Sequence, residues 1–296
     1  MRAFTMFQAD AFTSTLFKGN PAAVLVLDHA LGDDDMLAIA AENNLAETAF
    51  VERQGSGWTI RWFTPAHEAA FCGHATLASA HVLATAYGVS GPISFSTRSV
   101  GQLTVSPSGD GGYDLDLPVV AAHDLAPSPV LADLFPGGWV DSFRSFENIF
   151  IVLPSPEEVQ RFQPDMSRIA NLAPFGLGIT AAGGRTHDGA PVDFVSRYFA
   201  PAAGIPEDPV TGSAHASLVP YWARHLGRTE LSAFQTSGRG GYLKCRLAGD
   251  RVILTGHAVT YLRGTIVYDG TAVMDSPRGI ALLHRDHSPR TLGSRP

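Results

Sequence analysis

Phe63-Thr64-Pro65, followed by Phe71-Cys72-Gly73-His74-Ala75, returns later in the chain as Phe199-Ala200-Pro201, followed by Val210-Thr211-Gly212-Ser213-Ala214. From the central glycine onward the two copies keep one offset of 139 residues, pairing Gly73 with Gly212, Ala84 with Ala223, Gly88 with Gly227, Phe95 with Phe234 and Gly101 with Gly240. A shared offset over that many positions predicts two homologous halves. Each half is then built round a helix that starts at the glycine, and the functional site is expected where the two helix starts meet.

The segments around each copy fit this plan. Ahead of the first copy, Gly19-Asn20-Pro21 gives a turn signal and Ala22–Leu27 reads as a buried strand. Asp33-Asp34-Asp35 opens a helix that ends at Asn43-Asn44, and Leu45–Val51 is a strand whose one charged residue is Glu47. Trp58–Phe63 alternates as a strand and stops at Thr64-Pro65. The first central helix is expected over about residues 74–87; it is apolar almost all round, as a buried helix is, with Gly88 closing it. Short alternating runs from Ile93 to Pro118 predict a meander or a partly closed barrel. Residues 121–138, with three prolines and a Gly-Gly, read as a linker. The second half repeats the order, with Glu147–Leu153 answering the strand after Asn20, Asp165–Leu172 answering the acidic helix, and a second central helix over about 213–225. The expected division is therefore 1–120 and 121–274, with a tail from 275 to 296 that is partly disordered or returns to the first domain.

Composition narrows the function. The 296 residues are 45% hydrophobic, enough for two cores, and a net charge of -7 with scattered basic residues argues against nucleic acid or an anionic membrane as partner. No stretch is long and apolar enough for a signal peptide or a membrane span, so the expectation is a soluble cytoplasmic protein with a small-molecule ligand. Cys72 and Cys245 are the only cysteines, and the eleven histidines show no metal-ligand spacing, so no metal is expected.

In a duplicated chain, matching residues mostly report packing, and mismatches are the better candidates for chemistry. Glu47 aligns near Gly178, His74 faces Ser213, Cys72 faces Thr211, and Asp208 falls in a three-residue insertion between the proline and glycine of the second copy. Two converging helix starts offer free N–H groups to a carboxylate, and Gly73 and Gly212 let a ligand approach the backbone. A carboxyl among apolar residues is pushed towards its neutral form, which suits Glu47 to carry a proton both ways. Other readings compete with these. Glu47 could pair with Arg61, His74 and Asp208 could be capping or turn residues, and Ser213 could simply begin its helix. Cys72 could be an activated thiolate or an inert buried cysteine.

Taken together, Gly19-Asn20-Pro21, Asn44–Phe50, Arg61–Pro65, Cys72–Thr76 and Glu207–Ala214 resemble the PhzF-like phenazine-biosynthesis isomerase family over about residues 1–270. The resemblance implies an α+β, diaminopimelate epimerase-like fold: two pseudo-symmetric domains, each a mixed β-barrel around a central helix, with the site between them. It also implies a homodimer and no cofactor. The founding activity is isomerisation of trans-2,3-dihydro-3-hydroxyanthranilate, with Glu47 matching the proton carrier and His74, Asp208, Gly73, Gly212 and Ser213 matching the site lining. Cys72 departs from the small non-thiol residue of the founding isomerases. The expected function is a cofactor-independent isomerase that moves a proton on a small carboxylate-bearing metabolite. The alternatives are a racemase of the same fold using opposed groups at Cys72 and Thr211, and a ligand-binding protein without activity.

Overall fold

Alternating apolar residues and Gly, Pro and Asn turns make this chain mainly strand, interrupted by two long buried helices. The computed structural model describes residues 2–126, 128–146 and 148–270. Its first half runs β1 (Arg2–Ala11), β2 (Asn20–Leu27), α1 (Asp33–Asn43), β3 (Glu47–Gln54), β4 (Gly57–Phe63), β5 (Glu68–Ala69), α2 (Gly73–Tyr87), β6 (Ile93–Ser96), β7 (Gln102–Pro107) and β8 (Tyr113–Pro118). A connection containing β9 (His123–Asp124) and α3 (Pro129–Leu134) follows. The second half runs β10 (Asp141–Ser145), β11 (Asn148–Val152), α4 (Pro156–Arg161), α5 (Met166–Ala170), β12 (Gly176–Ala182), β13 (Phe194–Ala200), β14 (Ile205–Asp208), α6 (Gly212–Leu226), β15 (Glu230–Gln235), β16 (Gly241–Ala248) and β17 (Arg251–Gly256), before β18 (Ala258–Tyr268).

The pairing pattern is the same in both halves. β1–β2 is antiparallel, β2–β3 parallel, β3–β4 antiparallel, β4–β6 parallel, and β6–β7–β8 antiparallel. β10–β11, β11–β12, β12–β13, β13–β15 and β15–β16–β17 repeat that series of directions. β8 pairs antiparallel with β17, which joins the sheets of the two halves. β18 leaves the second half and lies antiparallel on β1.

The central helices fill the curled sheets. Ten of the fifteen residues of α2 are buried, including Leu77, Ala78, Ala80, Val82 and Leu83, which explains its lack of a polar face. α6 buries Ala214, His215, Ala216, Leu218, Val219 and Trp222. Gly88 and Gly227 end the two helices in the left-handed conformation. The expected linker is more ordered than its prolines predict. Pro129 sits in the first turn of α3, where a missing N–H costs nothing, and Leu131 packs into the second core with Ile149 and Ile179. Glu147 and the tail from 275 to 296 lie outside the described residues.

Candidate functional site

The β2–α1–β3 unit brings two polar side chains to one end of its parallel strand pair. Asn20 begins β2, Glu47 begins β3, and Ala22 lies beside Glu47 in the register. In the second half Leu177 pairs with Phe199 as Thr48 pairs with Phe63, so Gly176, beside Asn148, stands where the first half has Glu47. Here there is no room for an acid, because a Cβ on Gly176 would run into the Tyr198 ring and hydroxyl. The residue expected near Gly178 is therefore Gly176, and the asymmetry sets an acid in one half against a glycine beside a tyrosine ring in the other.

A second correspondence corrects the expected position of Asp208. Arg61 grips Glu68 across β4 and β5 and covers the Phe63 ring at 4.9 Å; Arg197 grips Glu207 across β13 and β14 and covers Phe199 at 4.9 Å. Glu207 thus answers Glu68, and Asp208 answers Ala69. The extra residues are taken up by the 3-10 turn at Pro201–Ala203 and Gly204, ahead of Asp208. The same ion pair removes one reading of Glu47, since Arg61 bonds to Glu68 at 2.6 Å and to Asp33 at 2.8 Å.

Helices α2 and α6 meet start to start. A Cβ on Gly73 would be 3.3 Å from Gly212 Cα, so a side chain at either glycine would press the helix starts apart. Cys72 and Thr211 occupy the two N-cap positions, and neither side chain makes a cap hydrogen bond. Two dipole ends with free N–H groups therefore face one small volume, the arrangement that favours a carboxylate. Gly73 and Gly212 are buried and Ser213 is half-buried at this junction.

Around it stand Glu47, Cys72, His74, Asp208 and Thr211, each at least nine-tenths buried. His74 Nε2 lies 3.3 Å from Glu47 Oε2, and that oxygen is buried without a hydrogen-bond partner. Cys72 Sγ is 3.4 Å from His74 Nδ1. Asp208 accepts hydrogen bonds from Asn20 Nδ2 at 2.7 Å and from the Thr211 hydroxyl at 2.5 Å. Burial pushes the Glu47 carboxyl well above the usual carboxylate range, and the charge of Asp208 pushes it further. Asp208 is also raised by burial, against the lowering effect of its bonds to Thr211 and Asn20. Burial lowers His74 to about 3, which keeps its imidazole neutral, and raises the Cys72 thiol well above its ordinary value. Two carboxyls that resist ionising together, beside a neutral imidazole, can accept, hold and return a proton.

Glu47, Cys72 and His74 also place a carboxylate oxygen, a sulfur and a ring nitrogen within 4.8 Å of one another, a set that could hold a metal ion. Sequence spacing could not show this, because Glu47 meets the other two only when β3 packs against α2. Surface cavities beside Arg61 and between α1 and β18 contain none of these residues.

Asn20, Gln235 and Arg239 also take part, and of these the sequence marks only Asn20, within the Gly19-Asn20-Pro21 stretch. Gln235 is buried, accepts the Thr211 N–H at 2.8 Å, and donates to Asp208 O at 2.7 Å and Thr211 Oγ1 at 3.1 Å. Arg239, on the turn before β16, bonds Gly19 O at 2.8 Å and buried Asp10 at 2.7 Å, fastening the first half to the second. Gly19 itself has φ +63°, and a Cβ there would meet Ala11 O at 2.1 Å, so glycine is required at this point of the strap.

Residues 9–123 and 138–264 match the profile of the family described as phenazine biosynthesis-like protein (PhzC-PhzF). An uncharacterized isomerase of Pseudomonas aeruginosa is 47% identical over 260 residues, covering 88% of this chain and 97% of that protein. The human phenazine biosynthesis-like domain-containing protein is 37% identical, covering 88% of this chain and 98% of its own. Among solved structures, a PhzF family protein from Enterococcus faecalis superposes with a TM-score of 0.83 at 40% identity, covering 90% of this chain and all of that one. A hydroxyproline epimerase from Agrobacterium vitis, solved with bound trans-4-hydroxy-L-proline, superposes with a TM-score of 0.58 at 11% identity over 93% of this chain and 94% of that one, a likeness of fold alone. Among the described residues no helix is long and apolar enough to cross a membrane.

Proposed function

Because the chain belongs to the phenazine biosynthesis-like (PhzC-PhzF) family, with its α+β, diaminopimelate epimerase-like fold, we propose that it is an isomerase that moves a proton on a small carboxylate-bearing metabolite without a cofactor. The substrate carboxylate binds the free N–H groups at Gly73-His74 and Gly212-Ser213. Glu47 removes a proton from carbon and returns it to a different atom on the same face of the substrate. His74 and Asp208 hold the rest of the substrate and polarise it, and Cys72 and Thr211 complete the lining. Domains of about 1–120 and 121–274, association as a homodimer and a cytoplasmic location belong to the same proposal.

The observation that carries this reading is the buried, partnerless Glu47 Oε2 beside the paired helix starts. Its high proton affinity makes it a stronger base once ionised and a usable acid once protonated, which one-acid proton relocation requires. A racemase would need two opposed bases. Opposite Cys72 stands Thr211, whose hydroxyl is committed to Asp208, so that reading has less support. The test is turnover in deuterium oxide with the wild type and Glu47→Gln. Deuterium should enter the product with the wild type and fall at least 100-fold in the variant; exchange at the wild-type rate would remove Glu47 from the chemistry.

A further inference from the structure

Asn20 has no role in the reaction as described, yet its amide nitrogen has three polar neighbours at the site. Fully buried at the start of β2, it places Nδ2 2.7 Å from Asp208 Oδ1, 2.9 Å from Val210 O and 3.0 Å from His74 Nδ1. Two of these neighbours belong to the second half and one to the first. An amide nitrogen carries two hydrogens and offers no lone pair, so all three neighbours must meet it as acceptors. The carboxylate and the carbonyl do so in any state. The imidazole does so only if Nδ1 is bare, because an N–H there would point at an N–H2 group 3.0 Å away. Turning the amide over would set its oxygen 2.9 Å from the Val210 carbonyl, an acceptor against an acceptor. Cys72 Sγ, 3.4 Å from the same ring nitrogen, has an S–H to offer it as well.

We propose that Asn20 is a positioning residue that fixes His74 as the Nε2–H tautomer, so that the ring presents a hydrogen-bond donor to Glu47 and to the reacting face of the substrate. On the Glu47 side Nε2 lies 3.3 Å from Oε2, close enough for a small ring rotation to bring its N–H onto that oxygen, which has no hydrogen-bond partner in the structure. The alternative tautomer would turn a lone pair towards that carboxylate, and two acceptors would face each other whenever Glu47 gave up its proton. Asn20 can impose this choice because the chain before it cannot shift. Gly19 N–H donates to Gly240 O at 2.8 Å, and Arg239 bonds both Lys18 O and Gly19 O. A residue of the first half is thus held by the second, against the histidine whose proton it places. The tautomer follows from the geometry alone, and its use in the reaction rests on the isomerase reading.

The experiment is the nitrogen NMR spectrum of protein labelled with 15N-histidine, with His74 assigned by comparison with His74→Asn. In substrate-free wild type His74 should show a bare Nδ1 and a protonated Nε2 throughout pH 5–9. A protonated Nδ1 in that spectrum overturns the proposal, and this holds whatever reaction the protein catalyses. In Asn20→Ala the single tautomer should give way to a mixture, and kcat should fall about 10–100-fold with a smaller change in KM. If Asn20→Ala keeps both the tautomer and kcat, Asn20 is not the residue that sets them, and Cys72→Ser should then disturb the spectrum instead. Should Asn20→Ala fail to fold, the wild-type spectrum alone decides. A failure of Glu47→Gln to stop deuterium exchange would count against the isomerase reading and leave this spectrum untouched.

Discussion

Replacing Glu47 by glutamine should stabilise the protein, and the gain should grow with pH. The side chain is buried, Oε2 has no hydrogen-bond partner, and Asp208 adds a second negative charge nearby. Burial first, and then the charge of Asp208, against the lowering effect of the Cys72 thiol, raise the carboxyl from its ordinary 4.5 to about 8. In the unfolded chain it ionises near the ordinary value. Below that pH both states carry the proton and nothing is lost. Between the two values the folded state holds a proton that the unfolded state has released, so stability falls by about 1.4 kcal/mol per pH unit. Above the folded value the loss is complete. The full window corresponds to about 5 kcal/mol, and relaxation around a buried carboxyl brings the expected loss to about 2–3 kcal/mol. Glutamine keeps the shape and cannot ionise, so the variant escapes the loss.

The assay is urea unfolding of wild type and Glu47→Gln at pH 5, 7 and 9. The midpoints should nearly coincide at pH 5, and the variant should lead by roughly 1 M at pH 9, for a slope of about 2–3 kcal/mol per molar. Parallel midpoints across the range, or a less stable variant at pH 9, would mean that Glu47 is solvated or paired in the folded state, and the proton-carrier argument would lose its physical basis.

Two further outcomes follow from the same geometry. The pH profile of kcat/KM should show its acid limb above the usual carboxylate range, because the base form of Glu47 is lost as pH falls through its raised value; His74, lowered to about 3, should add no limb between pH 5 and 8. A limb at pH 4 would assign the titration to an exposed acid instead. Gly178→Ala should lower stability by about 1–3 kcal/mol in thermal or urea unfolding, because its Cβ would overlap the fully buried Phe150 ring at 2.5 Å. An unchanged midpoint would show that Phe150 can move aside.

The duplication was legible in the sequence because it is carried by local features. Glycines that start and stop helices, a proline that ends a strand, and apolar alternation all act within a few residues, so the repeat through Gly73 and Gly212 located both central helices to within a residue of their starts. Glu47, His74 and Asp208 could be picked out as mismatches for the same reason, since a comparison of two halves needs only their alignment. The alignment fails where an insertion must be placed, and only the matched Arg61–Glu68 and Arg197–Glu207 pairs put Asp208 opposite Ala69.

Everything that depends on contact between the halves had to wait for the tertiary structure. Asn20 meets Asp208 across 188 residues and Val210 across 190, and Arg239 reaches Asp10 across 229, separations at which sequence pattern carries no register. The sequence determined which residues stand at the helix starts. The meeting of those starts determined the rest: burial raises two acids, an amide with two hydrogens faces three acceptors, and a histidine is held neutral between them. Proton affinity and tautomer are properties of an environment, and that environment is assembled only when the two halves come together, with β8 on β17 and β18 on β1.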